Sequence, residues 1–166
     1  MRALVRLTVA GVCLLAMSAA ARADCVDPAG PGVDWTRCYF DERNLSRMDL
    51  SGAKLKDATF SRGNLTEADL SGVDASRAKF IHAEMQRVQL DGARLREADF
   101  TNADLRDASF RGADLSRARL FRADLRGVDF TEARMRGADF LEADLSGALW
   151  IDGRRRCAEG SIGQCR

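Results

Sequence analysis

Ala103-Asp104-Leu105-Arg106-Asp107-Ala108-Ser109-Phe110-Arg111-Gly112-Ala113-Asp114-Leu115 is the stretch that decides the fold of this chain. A small residue and, two places on, a large apolar one return every five positions: Ala103/Leu105, Ala108/Phe110, Ala113/Leu115. Outward from there the register holds from Val33 to Asp152 with no insertion or deletion, making 24 pentads in 120 of 166 residues. The large position opens with Trp35, Phe40, Leu45 and Leu50 and closes with Phe140, Leu145 and Trp150. A fixed period of this kind governs every other reading of a sequence.

Five residues fit no ordinary element. On an α-helix, five steps rotate the apolar position by about 140° each time and scatter it over the surface. A strand needs alternation, which the small-x-large spacing supplies for only three residues. Three extended residues followed by a two-residue corner satisfy both facts, with the first and third side chains inward and the others outward. The coil size follows from longer recurrences. Phe40, Phe60, Phe80, Phe100 and Phe140 stand at multiples of twenty, with Leu120 filling the gap, and Gly52, Gly72, Gly92 and Gly112 recur likewise at a corner. Glycine there accommodates positive φ. Twenty residues per coil predict an all-β solenoid of about six coils, four pentapeptides each, and a rod roughly 29 Å long at the ~4.8 Å strand spacing.

The A-[DN]-[LF]-x-x units resemble the pentapeptide-repeat family. The resemblance implies a right-handed quadrilateral β-helix, and it leaves function open because one fold hosts unrelated roles. Some members of that family mimic DNA and protect gyrase from inhibitors. Duplex DNA carries one charge per about 1.7 Å, or about 17 along such a rod. The most acidic face here offers six carboxylates beside an arginine-bearing face. Topoisomerase protection by DNA mimicry is therefore only a remote alternative.

Arg2 and Arg6 precede the apolar run Leu7–Ala20, and Ala21-Arg22-Ala23 follows. This pattern reads as a signal peptide over residues 1–23, cleaved after Ala23. Fourteen apolar residues fall short of the ~20 that span a bilayer, so no membrane insertion is expected after cleavage. Neither Cys13 nor Cys25 follows the small residue of a lipoprotein signal. The expected product is an exported protein, periplasmic or secreted, with 23 basic and 25 acidic residues. Abundant Ala, Gly and Arg hint at a GC-rich bacterial genome. Residues 24–32 then form an N-terminal cap, 33–152 the β-helix, and 153–166 a C-terminal disulfide loop. Cys25, Cys38, Cys157 and Cys165 allow three pairings. No disulfide spans the rod, because its Cα atoms must lie about 4.4–6.8 Å apart. Cys25–Cys38 and Cys157–Cys165 are the expected bonds. Both tails are expected to cap strand edges that would otherwise pair with other copies.

Several inward positions depart from the pattern. Ala75 takes a large slot, with Val73, Met85 and Val88 in or beside its coil as local repacking. Arg43 and Met48 replace Ala in the first coil and read as adjustments under the N-terminal cap.

Counting every twentieth position sorts the outward residues into four faces. One carries Arg37, Lys54, Lys56, Arg77, Arg94, Arg96, Arg117, Arg134 and Arg136 against five acids, a net of +4. Its neighbour carries Asp49, Asp69, Asp91, Asp129, Glu132 and Asp152 against Arg111, a net of −5. Acids punctuate the basic face and stacking aromatics are absent, which argues against nucleic acid as a partner. The lone His82 falls at an exposed corner with no nucleophile partner, and Asp alternates with Arg too often for a metal ladder. No cofactor is expected, and the chain reads as not an enzyme. One outward series breaks the polar rule: Ile81, Phe121 and Leu141 share a corner position, with Thr101 between them and Leu149 and Ile151 on the adjoining face. Aligned apolar residues can mark an interface. The leading expectation is a structural or protein-interaction rod of the cell envelope or exterior, binding an unknown protein or itself through that stripe. The alternative is a binder of anionic envelope ligands through the basic face, with Lys54, Lys56, Arg94, Arg96, Arg117, Arg134 and Arg136 as contacts.

Overall fold

The computed structural model describes residues 25–166. The expected signal peptide and its expected cleavage site lie outside the described residues. Within them, each pentad contributes one residue to a parallel bridge, and every parallel bridge joins residues twenty apart. Four ladders result: Asp34 to Arg134, Tyr39 to Asp139, Asn44 to Asp144, and Asp49 to Leu149. They form the four sides of one coiled sheet. The bonding repeats throughout. Leu55 N–H donates to the Asp74 carbonyl at 2.8 Å, Asp57 N–H to that of Ser76 at 3.0 Å, and Asp74 N–H to that of Ala53 at 3.0 Å. Each rung thus uses the third and fifth N–H of one pentad and the second N–H of the next coil.

Corners explain the five-residue period. Ala58 N–H donates back to the Leu55 carbonyl at 3.0 Å, closing a four-residue turn whose third residue, Asp57, has φ 60°. Positive φ at that place is the type II pattern, which ordinarily selects glycine. Here 23 of 24 corners are left-handed and only seven of them are glycine, the rest being mainly Arg, Glu, Asp and Asn. A left-handed L-residue costs about 1 kcal/mol. The coil therefore imposes the conformation, and ladder bonds on both sides of each corner offset the cost.

The second residue of the pentad has a specific task. Asp74 Oδ1 accepts the backbone N–H of Ser76 (3.2 Å) and its hydroxyl (2.7 Å). Asp99, Asp114, Asp129 and Asp144 do the same for the corner residue two places on, and Asn64 accepts the Thr66 N–H alone. The carboxylate thus satisfies a corner donor that has no ladder partner. Where the second residue is Thr59, the Ser61 N–H turns instead to Asp41 of the coil above, at 2.8 Å.

Inside, Phe40, Phe60, Phe80 and Phe100 stack at 5.6, 5.3 and 5.0 Å, with planes within 14°. Leu120 ends that column. The aromatic chain crosses edge-on to Phe110 (5.9 Å) and continues to Phe130 at 5.5 Å. Each such pair contributes about 0.5–1.5 kcal/mol beyond area burial. Val73, Ala75, Met85 and Val88 are all fully buried.

Both ends differ from the sequence expectation in extent. Cys25 and Cys38 are bonded, with Cα atoms 5.5 Å apart, and Trp35 Nε1 donates to the Asp27 carbonyl at 3.2 Å. This segment covers the Trp35 and Cys38 side only. Arg43 and Met48 are not under it: both are exposed, because the chain from Cys25 reaches the first coil at one side and leaves the other three open. Cys157 and Cys165 are bonded, with Cα atoms 4.8 Å apart. Their loop returns antiparallel under two sides, placing Arg156 opposite Leu149 and Ile162 opposite Asp144. Met135, Ala138 and Phe140, on the other two sides, stay half-buried.

Candidate interaction surface

The outward ladders alternate in sign. Down one side run Asp34, Lys54, Asp74, Arg94, Asp114 and Arg134, with ion pairs Lys54–Asp34 (3.4 Å), Arg94–Asp74 (3.8 Å) and Arg134–Asp114 (3.7 Å). The neighbouring corner runs Arg37, Asp57, Arg77, Glu97 and Arg117, with Arg77–Asp57 at 2.7 Å and Arg117–Glu97 at 3.2 Å. Arg47 and Arg87 both hold Glu67, and Arg122 meets Glu142 at 2.6 Å. Exposed pairs of this kind contribute roughly 0–1 kcal/mol each. Their number makes a largely neutralised coat rather than a free basic face. Among the described residues, Arg37, Lys56 and Arg136 are the members of that face without an acid within ion-pairing distance.

Asp114 is the exception to exposure on this face, being 3% accessible. Burial disfavours its charged form. The Ser116 hydroxyl and N–H (2.6 and 3.1 Å) and Arg96 Nε (2.6 Å) outweigh it and hold the carboxyl at about 2, below the ordinary 3.8. Arg96, Arg117, Arg134 and Arg136 surround it, walling a groove of about 650 Å³ over Ser116, Met135 and Gly137. A smaller groove of about 370 Å³ continues between Arg77, Lys79, Arg117 and Arg119. Four of the seven basic residues marked in the sequence thus meet in one groove. Lys54, Lys56 and Arg94 do not line it.

The apolar stripe is uneven. Ile81, Thr101, Phe121 and Leu141 stack at one corner, as the ladder bonds Arg62 N–H to the Ile81 carbonyl and Arg122 N–H to the Leu141 carbonyl require. Ile81 and Phe121 are half-buried, Phe121 beneath the Arg122 guanidinium at 4.8 Å from its ring centre, while Leu141 is 61% exposed. Its contact surface is therefore concentrated at Leu141, at the C-terminal end, whereas Leu149 and Ile151 belong to the opposite side of the coil, not the adjoining one. Tyr39, 81% exposed on the first coil, escaped the sequence reading. Its only signal was an aromatic ring in the outward second position.

Chemistry finds no constellation. His82 Nε2 lies 3.5 Å from Asn102 Nδ2, a ladder contact, and no group of His, Cys, Asp and Glu among the described residues could hold a metal ion. On the acidic face, Asp49, Asp69 and Asp129 accept corner N–H groups, and Asp91 and Asp129 hold Arg111. No helix of the described residues is long and apolar enough to cross a membrane.

Comparison with known proteins follows the fold. Family models described as pentapeptide repeats match residues 36–72 and 64–96, and one described as a pentapeptide repeat region matches residues 83–150. No curated protein matches the chain. Among solved structures, HetL of the cyanobacterium Nostoc sp. strain PCC 7120, involved in heterocyst differentiation regulation, is 30% identical. That match covers 74% of this chain and 70% of HetL, at a TM-score of 0.45. Rfr23 from the cyanobacterium Cyanothece 51142 is 21% identical over 72% of this chain and 89% of its own, with a TM-score of 0.51. Full-length QnrB1, a plasmid-mediated fluoroquinolone resistance protein, is 23% identical over 71% of this chain and 65% of its own, at 0.45. With family models matching residues 36–96 and 83–150, well over half of the sequence, this chain belongs to the pentapeptide repeat family.

Proposed function

We propose that the chain is a non-enzymatic, rigid protein-interaction rod, exported by its N-terminal leader to the bacterial cell envelope or beyond. The observation that carries the reading is Leu141, 61% exposed at the foot of the Ile81/Phe121 ladder, next to the Arg122–Glu142 ion pair. An apolar side chain held on a stiff frame loses little entropy when it docks. The leader supports export, and the two disulfides fit an oxidising compartment. A photo-crosslinking residue in place of Leu141, compared with one in place of Asp107 on the adjoining corner, tests the surface in intact cells. Adducts at the first site alone are expected. Equal labelling at both, or none at either, would sink the stripe. The mass of the mature N-terminus tests export: a chain that still begins at Met1 overturns it.

One observation favours the second reading, an anionic envelope ligand on the basic face. The Arg96/Arg117/Arg134/Arg136 groove gathers four guanidinium groups over one buried carboxylate. Salt separates the two readings, since charge-led binding weakens steeply with ionic strength and apolar docking does not.

A further inference from the structure

The last coil ends on an edge that is covered on two sides and bare on two. Throughout the rod, a rung consists of two N–H groups donating down and one N–H donating up. Leu115 N–H donates to the Arg134 carbonyl (2.8 Å), Arg117 N–H to that of Arg136 (2.9 Å), and Arg134 N–H to that of Ala113 (2.8 Å). One coil later, Leu145, Gly147 and Trp150 give their N–H groups to Ser161, Cys157 and Arg155 of the C-terminal loop. On the other two sides, the N–H groups of Met135, Gly137 and Phe140 and the carbonyls of Ala133 and Ala138 have no partner among the described residues, and the tail comes near only at the far corner, where Gly163 stands against the Phe140 carbonyl and the Glu142 N–H. These are the donors and acceptors of one further rung, unfilled.

Charge says what would fill it. The ladder Asp34, Lys54, Asp74, Arg94, Asp114, Arg134 alternates in sign and stops at the open edge on a base. The corner ladder Arg37, Asp57, Arg77, Glu97, Arg117 also alternates, and it ends on Gly137 where an acid would come next. Arg136, between them, has no acid partner among the described residues. One corner further on, the edge turns apolar, with half-buried Phe140 and exposed Leu141.

We propose that the open edge from Ala133 to Phe140 docks an extended segment of a partner protein. Its carboxylates lie over Arg134 and Arg136, and about five residues later an apolar side chain seats on Phe140 and Leu141. The segment adds a parallel rung, as strands add to exposed sheet edges elsewhere. This rests on the interaction reading above and shares Leu141 with its stripe, but extends it to a backbone edge that Ile81 and Phe121 do not reach. Backbone bonds supply affinity, and the arginines select acidic over basic segments.

The probe is the acetylated, amidated heptapeptide Asp-Leu-Glu-Gly-Ala-Thr-Leu, written in the register of one more rung. Titrated into the isotopically labelled, oxidised protein at millimolar concentration, it should shift and protect the amides of Met135, Gly137 and Phe140. Arg136→Glu, at an exposed and unpartnered corner, should weaken binding about tenfold, as should lysine for both acids of the peptide. Phe121→Asp should leave it unchanged, which separates this edge from the stripe. Absence of these shifts, equal binding of the lysine peptide, or shifts confined to Ile81 and Phe121 would overturn the proposal. So would a wild-type dimer that Arg136→Glu turns into a monomer, since a second copy would then hold the edge. If the peptide fails while Leu141 still crosslinks, only the edge is lost. If both fail, the interaction reading goes with it.

Discussion

The two ends of the rod solve one problem in opposite ways. At the N-terminus the first coil is sealed from within: Cys38 sits in an inward slot, fully buried and tied to Cys25, beside a fully buried Trp35. Among the described residues, the Gly32 N–H to Ser51 carbonyl bond (2.8 Å) links the cap backbone to the ladder. At the C-terminus the seal is backbone. The loop closed by Cys157–Cys165 runs under two sides and accepts three N–H groups from the coil. Side-chain sealing protects the core beneath one corner and leaves polar edge bare. Backbone sealing satisfies edge and leaves part of the core half-buried. A solenoid needs both kinds of cover at each end, and this one supplies one kind at each.

Large-to-small changes along the phenylalanine columns test that contrast most strongly. Phe100→Ala, fully buried and stacked at 5.0 Å on Phe80, should cost about 3–5 kcal/mol. Phe140→Ala, half-buried at the open edge, should cost less than half as much. Chemical unfolding of both variants measures the ratio. Equal costs would mean that the open sides of the last coil are covered in solution.

Next come the disulfides. Chain-entropy arithmetic gives about 3 kcal/mol for the bond spanning 13 residues and about 2.5 for that spanning 8. The consequences should differ more than the energies. Cys25→Ser/Cys38→Ala, which restores the alanine usual at that slot, should expose Trp35 and raise amide exchange across the first coil. Cys157→Ser/Cys165→Ser should leave the Leu145, Gly147 and Trp150 amides partly protected, because their backbone acceptors remain. Complete loss of that protection would show that the disulfide, not the rungs, closes the C-terminus.

Between the ends, Asp114 measures what a carboxylate cap is worth away from either seal. Its folded carboxyl is held at about 2 against an ordinary 3.8. A depressed value stabilises the fold above the unfolded value and ceases to do so as pH falls through the folded one. The contribution, about 2 kcal/mol, is therefore complete near neutrality, declines below about pH 5 and is gone near pH 1. Asp114→Asn should lower stability by that order at pH 7 and approach wild type at about pH 1. A difference that persists there would assign the loss to geometry instead of charge.

How far the sequence reveals these features depends on whether they repeat. Inward slots such as Leu55 and Phe60 and the twenty-residue coil are legible because 24 pentads restate them. The Asp of A-D-L looks like solvent-facing decoration in the sequence. Its bond to a corner N–H emerges only when the turn brings Asp74 Oδ1 to Ser76. The ends are poorly legible, since nothing repeats there. Arg43 and Met48 sit at inward register positions, yet they lie exposed because no coil or cap stands above them. The basic face shows the same limit. Its charges can be counted in sequence, but pairing of Arg77 with Asp57, twenty residues away, depends on rotamers. The open rung at Met135 and Gly137 depends on which sides the tail crosses, which spacing alone does not say.

The smallest expected effect concerns the corners, where the middle of the rod differs from both ends. Glu132 is left-handed at φ 61°, with no ion pair to lose among the described residues, and its N–H donates to the Ile151 carbonyl at 2.9 Å. Glu132→Gly removes a Cβ penalty of about 1 kcal/mol but adds unfolded-state entropy of roughly 0.5–1. The two nearly cancel, so the midpoint of unfolding should rise slightly or not at all. Gly92→Ala reverses the operation. Space is free around the added Cβ, but φ is 65°, so strain acts without clash. The loss there should also stay under about 1 kcal/mol. If Gly92→Ala proves much more costly while Glu132→Gly stays neutral, central corners are less tolerant than those near the C-terminus. The Gly52/Gly72/Gly92/Gly112 column would then be a requirement of the stacked coils, whereas Glu132 and Asp152, which follow it in the last coils, would mark where tight stacking gives way to the looser edge.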